Sequence, residues 1–284
     1  MNIQIQNNAY CATINTLGAE VIKLEKNHEN ILWNRDAKYW GDSALVLFPF
    51  IGRNYNDTYI YKDKEYNILI HGFALRQEFK VLKQENDCVT LSLKDNEETL
   101  KVYPFNFVFN ITYTLNDEGL KVDYEIINKS INTMYFTCGY HPGFKLEDEL
   151  DSYKIYFPNA SEPKEICIVT KCMLTGEEKP LQLENKCLKL TTDLFKDSAK
   201  VYKGLGDVAI LINKDNKEIV KLKYKNFENI VLWQTLNSDA PFICIEGWRG
   251  LPGSFEHIDD IEQIQNKTAL KTNETYLLSA NIEF

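Results

Sequence analysis

The chain has 284 residues, 44% hydrophobic and 26% charged, proportions that suit one large soluble domain with a full core. Its formal net charge of -9 gives a surface field that repels phosphate backbones and anionic lipid, which excludes nucleic acid as a natural partner. The opening segment MNIQIQNNAYC lacks a basic or apolar leader, and the longest apolar run, Ala44 to Ile51, is too short for a bilayer, so a cytoplasmic protein without membrane association is expected.

From the N-terminus, short β-rich segments begin at Tyr10–Asn15 and recur at Cys88–Leu93. The clearest strand follows: Phe105, Phe107, Phe109, Ile111, Tyr113 and Leu115 alternate with polar Asn106, Asn110, Thr112 and Thr114. A period of two means one face buried and one wet. Asn116-Asp-Glu-Gly119 supplies a turn, and Leu120, Val122, Tyr124 and Ile126 resume the alternation, which completes a hairpin. Further strands are expected at Met134–Cys138, Val208–Ile212, Ile219–Tyr224, Ile230–Trp233, Phe242–Ile245 and Tyr276–Phe284, with one short helix over Phe255 to Ile264 opened by Ser254 as N-cap. The lysine-rich pieces Lys214–Lys217 and Lys221–Lys225 read as solvated turns and strand faces. No repeat or linker interrupts the chain, so residues 1–284 are expected to form a single all-β domain, an antiparallel sandwich.

Seven cysteines, an odd number without a Cys-X-X-Cys pair, point to free thiols that are mostly buried as small apolar residues. Four histidines are the natural proton carriers near neutral pH. His28 and His257 lie in polar stretches and are expected to be exposed. His71 ends a β-rich run just before Gly72, where the backbone can turn and aim the ring at a ligand; a strand-end histidine bonded to a carbonyl is the plainer alternative. His141 stands in Cys138-Gly-Tyr-His-Pro-Gly-Phe144, which reads as an irregular loop fixed by Pro142 and two glycines.

Glu246 closes the apolar run Phe242-Ile-Cys-Ile245, so its carboxyl must be paired, hydrogen-bonded or shifted in proton affinity. It is either half of a structural ion pair, with Arg249 for example, or a general base. Arginine is scarce, four residues against 28 lysines, and Arg53 follows Phe48-Pro-Phe-Ile-Gly52. A guanidinium offers a planar fork of donors for hydroxyl oxygens, and an edge-of-core ion pair is the alternative role. Gly204-Leu-Gly206 lacks the third glycine of a dinucleotide loop, and the phosphate-loop, serine-hydrolase and zinc-protease signatures are missing.

Phe48-Pro-Phe-Ile-Gly-Arg53, His71-Gly-Phe-Ala74, Tyr103-Pro-Phe-Asn-Phe107, Gly139-Tyr-His-Pro142 and Ile243-Cys-Ile-Glu-Gly-Trp248, in this order, resemble the aldose 1-epimerase (galactose mutarotase) family, and most of all its LacX-like branch. The resemblance implies a galactose-mutarotase-like supersandwich with a concave sugar-binding face. It implies that His141 donates a proton to the ring oxygen and that Glu246 takes one from the anomeric hydroxyl. It also implies that Arg53 and His71 hold the sugar, with Asp197 as a more loosely matched sugar ligand. Neither metal nor organic cofactor enters this chemistry, and the partner is a small sugar. Two departures bear on loop shape: Gly247 stands where the branch has proline, and Leu75 precedes Arg76 after the His-Gly-Phe-Ala motif.

The expected activity is interconversion of the α and β anomers of a hexose such as galactose or glucose. A sugar-binding protein without activity, or a mutarotase for a sugar phosphate, are the other readings of the same residues. For the acid and base pair, a pH optimum limited below by Glu246 and above by His141 is expected.

Overall fold

The computed structural model describes residues 1–197, 199–264 and 266–284. Among them the chain is dominated by antiparallel sheets, the largest of nine and seven strands. The nine-stranded sheet contains the hairpin read from the alternation, Phe107–Leu115 paired with Gly119–Asn128. Thr275–Glu283, from the chain's end, lies against the second of these strands and closes the fold between distant segments.

The period of two does what it predicts. Along Phe107–Leu115 every second residue is buried and the others are half-buried. Phe107, Phe109, Ile111 and Tyr113 enter the principal core together with Val122, Tyr124 and Ile126 of the partner strand. The seven-stranded sheet supplies the opposite wall through Tyr140, Ile230, Leu232, Ile243 and Ile245. Tyr124 meets Tyr140 edge to face, with ring centroids 6.4 Å apart.

In the seven-stranded sheet, Cys138–Lys145 runs between Ala44–Leu47 and Phe242–Arg249. Two sequence expectations change here. His141 does not sit in a loop: Cys138–Lys145 is a continuous strand, buried from Cys138 to Phe144. Pro142 is tolerated because the recorded pairing with Phe242–Arg249 skips from Tyr140↔Gly247 to Gly143↔Cys244, so its missing N–H breaks no ladder bond there. Likewise the strand begun at Phe242 does not stop at Ile245 but carries Glu246, Gly247 and Trp248 with it.

The helix expected over Phe255 to Ile264 does not form. Ser254 Oγ accepts from the Glu256 N–H, but the Asp259 carboxylate takes the Ser254 N–H, and Asp259–Asp260 then pairs in parallel with Thr58–Tyr61. A local turn and a long-range pairing win over a weak helical pattern. All seven cysteines are free, yet only Cys138 and Cys244 are fully buried, fewer than expected. His28 and His257 are exposed, as expected. No helix of the described residues is long and apolar enough to cross a membrane.

Candidate active site

Alternation also splits the seven-stranded sheet into two faces. Tyr140, Ile243 and Ile245 point into the sandwich, so their neighbours His141, Glu246 and Trp248 face the other way. The pairs Tyr140↔Gly247 and Gly143↔Cys244 put His141 directly across from Glu246 on adjacent strands. The result is a contact of 3.2 Å between His141 Nε2 and Glu246 Oε1, with side chains only 8% and 1% exposed. The Trp248 indole N–H donates to the other carboxyl oxygen, Oε2, at 2.7 Å.

Burial acts in opposite directions on the two partners. It pushes the Glu246 carboxyl well above the ordinary carboxylate range, an effect the Trp248 hydrogen bond partly offsets. It pulls the His141 imidazole down to about 3. Each residue therefore prefers its neutral form, with one proton held between them.

Around the pair is a cavity of about 460 Å³ lined by Arg53, His71, Arg76, Cys172, Trp40 and Trp233 among others. Two loops enter it as a unit. The His71 N–H donates to the Gly52 carbonyl at 2.9 Å, and the Gly52 N–H donates to His71 Nδ1 at 3.1 Å. Since Nδ1 accepts, the proton of a neutral His71 sits on Nε2, leaving a donor for the cleft. Burial, then the nearby His141, Arg76 and Arg53, holds this imidazole well below the usual histidine range, which keeps it neutral. Gly72 is required here: its φ is +73°, and a Cβ would stand 2.3 Å from the Phe48 carbonyl oxygen. Arg53 is held by Asp57, Nη1 to Oδ1 at 2.9 Å.

The structure brings together four of the five residues named from sequence: His141, Glu246, His71 and Arg53 all line the cavity. Asp197 does not join them; it is exposed and outside the lining, which Ala199 reaches instead. Sequence reasoning missed the aromatic wall. Trp40 lies over His141 with ring centroids 5.1 Å apart and planes tilted by 33°, and Trp233 meets the same imidazole at 5.7 Å. Gly143 makes the approach possible, because a Cβ there would be 2.7 Å from Trp40 Cζ3. One signal was available: the chain has only four tryptophans, and three of them, Trp40, Trp233 and Trp248, line this cavity.

A sheet-borne imidazole and carboxyl in contact within an aromatic cleft have the geometry of an acid–base site for a small polar molecule. Residues 1–283 match the aldose 1-epimerase family, and the chain belongs to it. The protein is thus an epimerase-type isomerase of the mutarotase kind. It is 30% identical to the plasmid-encoded protein LacX of Lactococcus lactis subsp. lactis, over 96% of this chain and 97% of that one. Among solved structures, a galactose mutarotase-like protein from Lactobacillus casei superposes with a TM-score of 0.95 at 28% identity, over 100% of this chain and 99% of that one. A galactose mutarotase related enzyme from Lactobacillus acidophilus gives a TM-score of 0.92 at 29% identity, covering 100% and 98% of the two chains. The all-β, galactose-mutarotase-like architecture expected from the sequence is borne out.

Proposed function

We propose that the protein interconverts the α and β anomers of a hexose such as galactose or glucose, with His141 and Glu246 as the proton-transfer pair. The observation that carries the reading is their 3.2 Å contact on the cleft floor. O1 and O5 of an aldopyranose are bonded to the same carbon, so an acid and a base that serve both must lie side by side. Cross-strand neighbours do.

In the productive complex Glu246 takes the proton from O1–H, the C1–O1 double bond forms, the C1–O5 bond breaks, and O5 receives the proton of His141. Rotation about C1–C2 presents the other face of the aldehyde. The protons then return, from Glu246 to O1 and from O5–H to His141, and the opposite anomer closes. The charged pair, imidazolium and carboxylate, belongs to the closed ring; the neutral pair belongs to the open chain. Burial favours the neutral pair, so the cleft favours the ring-opened stage, which is the slow one to reach in water. In this reading neutral His71, through its Nε2–H, and Arg53 donate to sugar hydroxyl oxygens, which the Gly52 bond to His71 Nδ1 and the Asp57 pairing of Arg53 support.

Polarimetry on freshly dissolved α-D-galactose or α-D-glucose tests the reading. Glu246→Gln and His141→Asn are each expected to lower kcat by roughly 10²–10⁴-fold, the usual worth of a positioned acid or base, with a much smaller change in KM. No acceleration with any common aldose, free or phosphorylated, overturns the proposal.

A further inference from the structure

The Nε2 atom of His141 is taken by Glu246, but the other ring nitrogen, Nδ1, is buried and finds no hydrogen-bond partner among the described residues. An imidazole that moves protons is ordinarily oriented by what its second nitrogen bonds, since a single hydrogen bond leaves the ring free to swing. Here aromatic rings do the enclosing instead. Trp233 and His71 meet the imidazole edge to face, at 5.7 and 6.0 Å, whereas Trp40 lies against its face at 5.1 Å, with the planes tilted by 33°. We propose that Trp40 is the positioning residue of the acid: its indole face holds the His141 ring so that Nε2 stays on Glu246, and it steadies that ring when it is charged. The proposal rests on the mutarotase reading above and adds a residue to it.

Trp40 can do this because the segment that carries it is tied to the strand that carries His141. The Trp33 N–H donates to the Gly143 carbonyl and the Gly143 N–H donates to the Ser43 carbonyl, each at 2.8 Å, so both ends of residues 33–43 close on one residue of Cys138–Lys145. Within the segment, the Trp33 indole N–H donates to the Trp40 carbonyl at 2.7 Å, and Arg35 Nε donates to the Gly41 carbonyl at 3.0 Å. From outside it, Oε1 of Glu20, a residue only 5% exposed, accepts the Ser43 N–H at 2.5 Å. The indole also packs on Phe242, with ring centroids 5.6 Å apart. Phe242 begins the strand that bears Glu246, so Trp40 is braced on both strands of the reacting pair.

The face of the indole separates positioning from a plain wall. At 5.1 Å, an imidazolium lies within the ~6 Å over which a ring quadrupole attracts a cation, so Trp40 favours the closed-ring stage, in which His141 is charged. Burial works the other way, pulling the imidazole down to about 3, and the reaction needs both forms within reach. An aliphatic side chain at position 40 loses the attraction, whereas phenylalanine keeps a face. A contact made by Trp40 with the sugar alone would instead be felt in KM.

The test reads two substitutions in two ways. On whichever aldose the protein turns over, Trp40→Leu is expected to lower kcat per folded molecule about tenfold or more, as a misplaced acid does, with KM changed by less than about threefold. Trp40→Phe is expected to keep most of the parent's kcat. By nitrogen NMR of protein made with isotope-labelled histidine, the His141 ring nitrogens, assigned by their loss in His141→Asn, are expected to keep two distinct shifts in the parent and in Trp40→Phe. In Trp40→Leu they are expected to draw together as the ring turns. Trp33→Phe, which keeps Trp40 but removes the N–H that holds its carbonyl, is expected to lower kcat about threefold. It serves where Trp40→Leu does not fold, and a parental kcat with parental spectra then overturns the proposal. So does a kcat that Trp40→Leu leaves unchanged, a loss confined to KM, or a Trp40→Phe protein as impaired as Trp40→Leu. If the parent accelerates no aldose, the mutarotase reading itself falls and the nitrogen spectra decide alone: shifts that Trp40→Leu leaves in place overturn the positioning role.

Discussion

A carboxyl and an imidazole buried in contact share one proton, and the proposed reaction needs that count to be one. With none, nothing can be given to O5; with two, nothing can be taken from O1. A second proton must go onto His141, which burial holds down to about 3, and the shared proton leaves only from Glu246, which burial holds above the carboxylate range. The two limits therefore belong to the pair, with the acid limb assigned to the histidine and the alkaline limb to the glutamate, the reverse of what ordinary pKa values suggest. The expected profile of kcat/KM is flat through the ordinary histidine range near pH ~6.5, falls below about pH 4 and falls again on the alkaline side. Initial mutarotation rates across this span, corrected for the uncatalysed reaction, check it; a break centred near pH ~6.5 contradicts it. At this scale the sequence pointed to candidate side chains but not to their state. His141 and Glu246 were visible as a histidine and a carboxylate beside apolar runs, whereas their shared proton depends on a contact between residues more than a hundred positions apart.

At the level of single elements, Gly247 is fixed by what packs on either side of it. It pairs with Tyr140 on one side and Ile230 on the other, at the centre of the sheet. A Cβ at this position would lie 2.5 Å from Cδ1 of Tyr224, whose hydroxyl donates to the Ile245 carbonyl at 2.5 Å. The glycine is the space that the tyrosine of the facing sheet occupies. Gly247→Ala is expected to cost about 1–3 kcal/mol through overpacking, read as a lowered urea midpoint, while Tyr224→Phe in the same background restores nothing because the ring remains. Strands with one wet face were legible from alternation, as Phe107–Leu115 shows. Cys138–Lys145 was not, because a strand buried on both sides has no alternation, and its proline and two glycines mimic a loop. Ser254 misled for a related reason: a serine before a mixed segment opens a turn as readily as a helix, and only the pairing of Asp259 with Tyr59 chooses between them.

For the molecule as a whole, the sandwich core and the cleft are separate bodies of side chains. Phe109 is fully buried between Phe48, with ring centroids 4.9 Å away, and Tyr124, 5.2 Å away, and none of the three lines the cleft. Phe109→Ala is expected to lower unfolding free energy by ~3–5 kcal/mol, while kcat per folded molecule stays that of the parent. Denaturation curves and active-fraction-corrected rates on one preparation check both halves. The all-β class was legible because the core half of this division is written as periodicity over many residues. The cleft half was legible only through five short motifs, and its tryptophan wall, drawn from three distant segments, was not.

Core and cleft nevertheless share the same strands. Tyr140 and Ile245 belong to the interior, while His141 and Glu246, one position further along, belong to the cleft. The chain therefore carries two messages in alternate letters, one for folding and one for chemistry. A substitution alters one letter of one message. The loss of a single residue within Cys138–Lys145 or Phe242–Arg249 would instead exchange them, turning His141 or Glu246 inward and core residues outward. The cleft can thus be altered by replacement without touching the core, but not by deletion in the strands that bear it.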